Sequence, residues 1–152
     1  MAFAHALCPI DFSERSREAL DLAAALIGPA GRIDMLYVME TPLYSENFDT
    51  PAFLESLQER STRPLECFAA QVRSRIAVVT TRVAFGSPCE RTLAAVERDP
   101  SIDLVVLGSQ GRTVRRSRAP LGSVAERVVR HSPCPVLVVR PVERGSRQVE
   151  RY

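Results

Sequence analysis

Val105-Val-Leu-Gly-Ser-Gln-Gly111, then Arg112-Thr-Val-Arg-Arg-Ser-Arg-Ala-Pro-Leu121, then Gly122-Ser-Val-Ala-Glu126 is the stretch that decides the fold of this chain. An apolar run of strand length ends in Gly108, and Gly111 follows three residues later. An arginine-rich segment leads from there to Gly122, at the opening of a helical pattern. Strand, glycine loop and helix N-terminus together form a holder for phosphate. Glycines let the backbone come close to an anion, and the first turn of a helix offers N–H groups and the positive end of its dipole. The segment reads as the phosphate loop of a nucleotide site.

The rest of the chain fits around such a loop. Strand-length apolar runs alternate with helical patterns throughout: strands over Phe3–Ile10, Ile33–Met39, Val78–Phe85, Ile102–Leu107 and Val136–Val139. Ser13 caps the first predicted helix, whose apolar face is Leu20, Ala23, Leu26 and Ile27, and Gly28-Pro29 ends it. Thr50-Pro51 opens the second, with Phe53, Leu54, Leu57, Leu65, Phe68 and Val72 at helical spacing. Pro64 lies inside that pattern and predicts a kink or a break. Ser87-Pro-Cys-Glu90 is a capping box opening a helix to about Arg98, and Ser123-Val-Ala-Glu126 is a second one, for a helix ending near His131.

This alternation predicts an α/β protein: a doubly wound, five-stranded, mostly parallel sheet with helices on both faces. Ligands in such sheets bind beyond the strands' C-terminal ends, where strand order reverses. Asp11 and Gly108 would meet there. Residues 1–142 read as one domain and 143–152 as a polar tail.

Composition excludes several chemistries. All 20 basic residues are arginine, so there is no Gly-Lys-Ser/Thr phosphate loop, no Schiff-base lysine and no lysine general base. Any phosphate clamp must use backbone amides, hydroxyls or guanidinium forks. A net charge of +2 points to no nucleic acid partner. No apolar run is long enough for a membrane span, and the start does not read as a signal peptide, so the expected location is the cytoplasm. Cys8, Cys67, Cys89 and Cys134 form no Cys-x-x-Cys pair, and His5 and His131 lie far apart, so zinc spacing is absent. The thiols read as reduced and mostly buried. Both histidines read as structural: His131 sits in the last turn of a helix, and His5 is at the end of the sheet away from the loop.

With these elements in place, the sequence resembles the universal stress protein family over nearly its whole length. Cys8-Pro-Ile-Asp-Phe-Ser13, Asp34-Met-Leu-Tyr-Val-Met39, Gly86-Ser-Pro88, Asp103–Gly111 and Gly122–Arg140 carry the likeness, in the family's order. The resemblance implies the strand order 3-2-1-4-5, a homodimer formed through the edge strand Val136–Arg140, and, in one branch, ATP bound by a Gly-x2-Gly-x9-Gly-Ser/Thr signature. Here all three glycines and the serine are present, with ten residues instead of nine in the second gap.

The same carry-over makes Pro9, Val38 and Leu107 the walls for adenine and sugar, and Asp11 a contact to ribose or to a magnesium ion. Gly108, Gly111, Arg112, Gly122, Ser123 and Val124 become the phosphate segment. Each has a plainer reading: Asp11 as a loop cap, Gly108 and Gly111 as turn glycines, Ser123 as a helix cap. Arg112, Arg115, Arg116 and Arg118 either embrace a polyphosphate tail or form a solvated charge run. Three functions follow: a nucleotide-binding regulatory module with little turnover, an ATP-hydrolysing or nucleotidyl-transferring enzyme, or a dimeric scaffold without nucleotide. The enzyme reading lacks its usual parts, since the chain has no His-x-x-His and no base beside the loop.

Overall fold

The computed structural model describes residues 2–40, 51–111 and 121–141. In chain order its elements are β1 (His5–Ile10), α1 (Glu14–Ile27), β2 (Arg32–Met39), α2 (Pro51–Arg73), β3 (Val78–Phe85), α3 (Pro88–Arg98), β4 (Leu104–Gly108), α4 (Ser123–His131) and β5 (Val136–Val139). The strands pair in parallel in the order β3-β2-β1-β4-β5. Strand order therefore reverses between β1 and β4.

Alternation along each strand sends side chains to two cores. Ala6, Cys8 and Ile10 of β1, Ile33 and Met35 of β2, and Leu104 and Val106 of β4 pack with α1 and α2. Leu7, Leu36, Val38, Val105 and Leu107 face the other way, against Cys89, Ala95 and Val96 of α3 and Ala125 and Val128 of α4. Such doubly covered strands are near-continuous apolar runs, which is why periodicity found them.

Two helix expectations change. Leu26 is not on the buried face of α1; it is 42% exposed, while Ala19, Leu20, Ala23 and Ile27 take the core. At 100° per residue Leu26 falls on the flank of that stripe. Pro64 does not break α2, which runs unbroken through it. Pro64 is on the exposed side and Ser61, Leu65 and Phe68 bury on either side of it, so water can serve the carbonyl that proline leaves without a donor. Thr50 and the tail 143–152 lie outside the described residues.

The N-terminal ends of the strands are closed by a polar network. His5 is buried, with Nδ1 2.9 Å from Ser101 Oγ and Nε2 2.9 Å from Asp34 Oδ2. Asp34 also accepts from Arg32 Nε at 2.8 Å and from Thr80 Oγ1 at 2.5 Å. Asp103 accepts the backbone amides of Ala4 and His5. Burial pushes the Asp34 carboxyl upward, but the hydrogen bonds from Arg32, Thr80 and His5 outweigh it and hold the group below the ordinary carboxylate value. Four segments are thereby tied together at one end of the sheet.

Candidate functional site

At the opposite end, a cavity of 430 Å³ opens at the switch point between β1 and β4. Its position has a local cause. β1 and β4 pair in register only at Ala6–Leu104 and Leu7–Val105. Beyond them stands Pro9, which has no N–H to give to a ladder, so the two strands part toward their C-terminal ends. Pro9, Asp11, Val38, Leu107, Gly108 and Gly111 all line the resulting crevice. Gly122, Ser123 and Val124 line it from the start of α4. Nine of the ten residues expected from the sequence thus face one cavity, and the tenth, Arg112, lies outside the described residues, as do Arg115, Arg116 and Arg118.

The three signature glycines serve close approach. None of them has a positive φ; among the described residues, only Gly28 and Gly86 do among glycines. A Cβ on Gly108 would lie 2.6 Å from Arg15 Cβ, so glycine lets the first turn of α1 seat against the end of β4. On Gly111 a Cβ would lie 2.9 Å from Asp11 Oδ2, and on Gly122 it would lie 3.2 Å from the Ser109 carbonyl oxygen. The Gly122 amide donates to that same carbonyl at 2.6 Å, closing the loop that leaves β4.

That bond corrects the reading of Ser123. The N-cap of α4 is Gly122, extended at φ −70 and ψ 164, with no side-chain cap bond. Anchoring by Ser109 fixes the turn at Gly122, so Ser123 becomes the first helical residue and the capping box does not form. Ser123 lines the cavity and is not the cap. The first intrahelical bond is Glu126 N to Gly122 O, so the amides of Ser123, Val124 and Ala125 precede it. They form the positive end of α4 at the cavity.

By contrast, the other two capped helices follow the sequence. Ser13 Oγ accepts from Ser16 N at 3.1 Å, and Ser87 Oγ accepts from Glu90 N at 3.4 Å with Pro88 at the first helical turn. Asp11 Oδ1 accepts both the amide, at 2.9 Å, and the hydroxyl of Ser13. Its loop-capping role is therefore real, and it holds the carboxylate on the cavity wall at the same time.

Sequence reasoning missed several other lining residues, among them Tyr37 and Glu40 at the end of β2 and Pro88 and Thr92 at the start of α3. Alternation points Tyr37 to the face opposite Val38, so it gave no signal for this site, and neither did Thr92. The Thr92 hydroxyl is spent on the Pro88 carbonyl at 2.7 Å, which leaves its apolar side for packing. Two of the cysteines are held as thiols: burial, with a contribution from Asp34, pushes Cys8 up to about 12, and burial raises Cys89 against the opposing charge of Arg127. Cys134 is half-buried and Cys67 exposed. No helix among the described residues is long and apolar enough to cross a membrane.

The chain is similar to known proteins in sequence and in fold. A universal stress protein of Staphylococcus epidermidis is 31% identical over 150 residues, covering 94% of this chain and 87% of that one. A second, from Staphylococcus saprophyticus, is 45% identical over 65 residues, covering 43% of this chain and 38% of that one. The solved UspA of Lactobacillus plantarum superposes with a TM-score of 0.75 at 24% identity, covering 92% of this chain and 99% of that one. A universal stress protein in complex with cAMP (TM-score 0.62, 21% identity, 91% and 98% covered) has the same fold. So does a family protein from Arabidopsis thaliana with AMP bound (TM-score 0.62, 15% identity, 96% and 97% covered). The universal stress protein family pattern itself matches residues 2–140. The family pattern, the sequence identity and the fold agree: this chain belongs to the universal stress protein family.

Proposed function

We propose that the chain is a nucleotide-binding regulatory module that takes ATP, with magnesium, and turns it over little or not at all. One observation carries this reading. The first turn of α4, which has no side-chain cap, opens onto a cavity whose opposite wall is apolar. Amides and dipole suit phosphates, while Pro9, Val38 and Leu107 suit a base and sugar. At 430 Å³ the crevice is in the size range of small-ligand sites, roughly 300–1,000 Å³. The donor set fits: Gly108, Gly111, Gly122, Ser123 and Val124 would hold phosphates, joined by Arg112, and Asp11 would meet ribose or a phosphate-bound magnesium ion. The relatives solved with cAMP and AMP support the same ligand class.

In this reading the chain's own groups bind and orient, and none is assigned a catalytic role. β5 forms one edge of the sheet, with half-buried Val136, Leu137, Val138 and Val139. We infer a homodimer through Val136–Arg140, since pairing would cover an apolar edge that otherwise invites uncontrolled association. The working location is the cytoplasm.

Calorimetry with ATP and magnesium on nucleotide-free protein, together with a phosphate-release assay, tests this reading. Saturable binding with negligible release is expected. Clear turnover would favour the enzyme, and no binding would favour the scaffold. Light scattering tests the dimer, and a monomer at working concentrations would reject it.

A further inference from the structure

Between β1 and α1 the chain passes through a conformation that side chains rarely adopt. Phe12 has φ 63 and is the non-glycine residue in the left-handed region among the described residues. That region is unfavourable for a residue with a Cβ, and glycine or asparagine would enter it more cheaply. The phenyl ring supplies the compensation. Its centroid is 4.6 Å from that of Tyr37 and 5.4 Å, edge-on, from that of Phe68. The guanidinium of Arg17 lies over the Phe68 ring, 4.9 Å from its centroid. Tilted and edge-on aromatic pairs of this kind attract beyond the area they bury, which offsets the cost of the turn.

Phe12 does not line the cavity, but both its neighbours, Asp11 and Ser13, do. The turn it makes lets Asp11 Oδ1 reach back to the Ser13 amide and hydroxyl. The same turn brings Oδ2 to 2.9 Å from where a Cβ on Gly111 would stand. Phe68 belongs to α2, a helix that contributes no residue to the cavity wall.

We propose that Phe12 is a positioning residue: clamped between Tyr37 and Phe68, it fixes the Asp11 carboxylate on the cavity wall and so sets nucleotide affinity without touching the ligand. This deepens the nucleotide reading and rests on it. It also brings α2 into the site at one remove, through the ring of Phe68.

Two measurements on Phe12→Ala test it. In the ligand-free protein, the Ser13 amide should exchange at least about tenfold faster, while the α1 interior keeps its protection. In calorimetry, ATP affinity should fall by about tenfold, as expected for loss of a group that orients another. The double variant Phe12→Ala/Asp11→Ala should bind no more weakly than Asp11→Ala alone, and Phe12→Tyr should bind as the parent does. Unchanged Ser13 exchange, or losses that simply add, would overturn the proposal. If the parent binds no nucleotide, the nucleotide reading fails, and the Ser13 exchange still decides whether Phe12 positions Asp11. Should Phe12→Ala not fold, Phe12→Leu keeps the apolar bulk without the ring and is read in the same way.

Discussion

The two ends of the sheet handle polar groups in opposite ways. At the N-terminal ends of the strands, His5, Asp34, Arg32, Thr80 and Ser101 bond to one another and Asp103 takes two backbone amides. At the C-terminal ends, the residues that open α4, Ser123 among them, and Asp11 line a cavity. The first arrangement is closed and fastens four segments; the second is open and suits a guest. Stability and binding should therefore be separable by mutation, one at each end.

The largest effect should come from the open end. Gly122→Val puts a branched side chain where phosphates would approach, with its Cβ 3.2 Å from the Ser109 carbonyl oxygen. ATP binding should be lost in calorimetry. Gly122 has φ −70, so no left-handed strain is added, and the fold should survive with a stability loss of about 1–2 kcal/mol. A variant that binds as the parent does removes the phosphate-loop reading.

The closed end should show the reverse. His5→Ala strips hydrogen bonds from Asp34 and Ser101 and leaves a small void in a buried site. Urea unfolding should show about 2 kcal/mol less stability, with nucleotide affinity unchanged. A comparable fall in affinity would mean that the two ends are coupled.

Acid should act through the same network. The folded carboxyl of Asp34 is held below its unfolded value, so its contribution is fully present above the ordinary carboxylate range near pH 4 and is lost as pH falls through the folded value. The stability gap between the parent and Asp34→Asn should therefore narrow as pH falls from about 5 through the ordinary value and on below it, as read in urea titrations. A gap that stays constant would show that Asp34 carries no charge-dependent share.

Smallest of all is Ser123→Ala. Because Gly122 and not Ser123 is the cap, the stability change should stay within about 0.5 kcal/mol instead of the 1 kcal/mol expected of a capping serine. ATP affinity should weaken only a few-fold, since the backbone amides remain. Ser13→Ala, which removes a real cap, is the control and should cost about 1 kcal/mol.

The fold was legible because strands buried on both faces are written as apolar runs, and helices between them announce their caps at Ser13 and Ser87. The open end was legible too, since glycines and a helix start are local signals. The closed end was not. His5 meets partners 29 and 96 residues away in sequence, and nothing near it marks either one. Ser123 misled for a related reason: its capping box is a valid local pattern, overridden by the Gly122–Ser109 bond made across the loop. Phe12 is the sharpest case, because no propensity argument places a phenylalanine at φ 63; only its contacts with Tyr37 and Phe68 explain it.

Pro9 gives the sheet a seam. β2 and β3 stay in register over the whole of Arg32–Met39, whereas β1 and β4 are joined only at Ala6–Leu104 and Leu7–Val105. Along the strands, then, the molecule is two leaves meeting at a partly open spine, with β1, β2 and β3 in one and β4 and β5 in the other. A molecule lodged in the crevice rests on Pro9 and Val38 of one leaf and on Leu107 and Val124 of the other. It would act as a rivet, adding its binding free energy to the joint where the backbone supplies least.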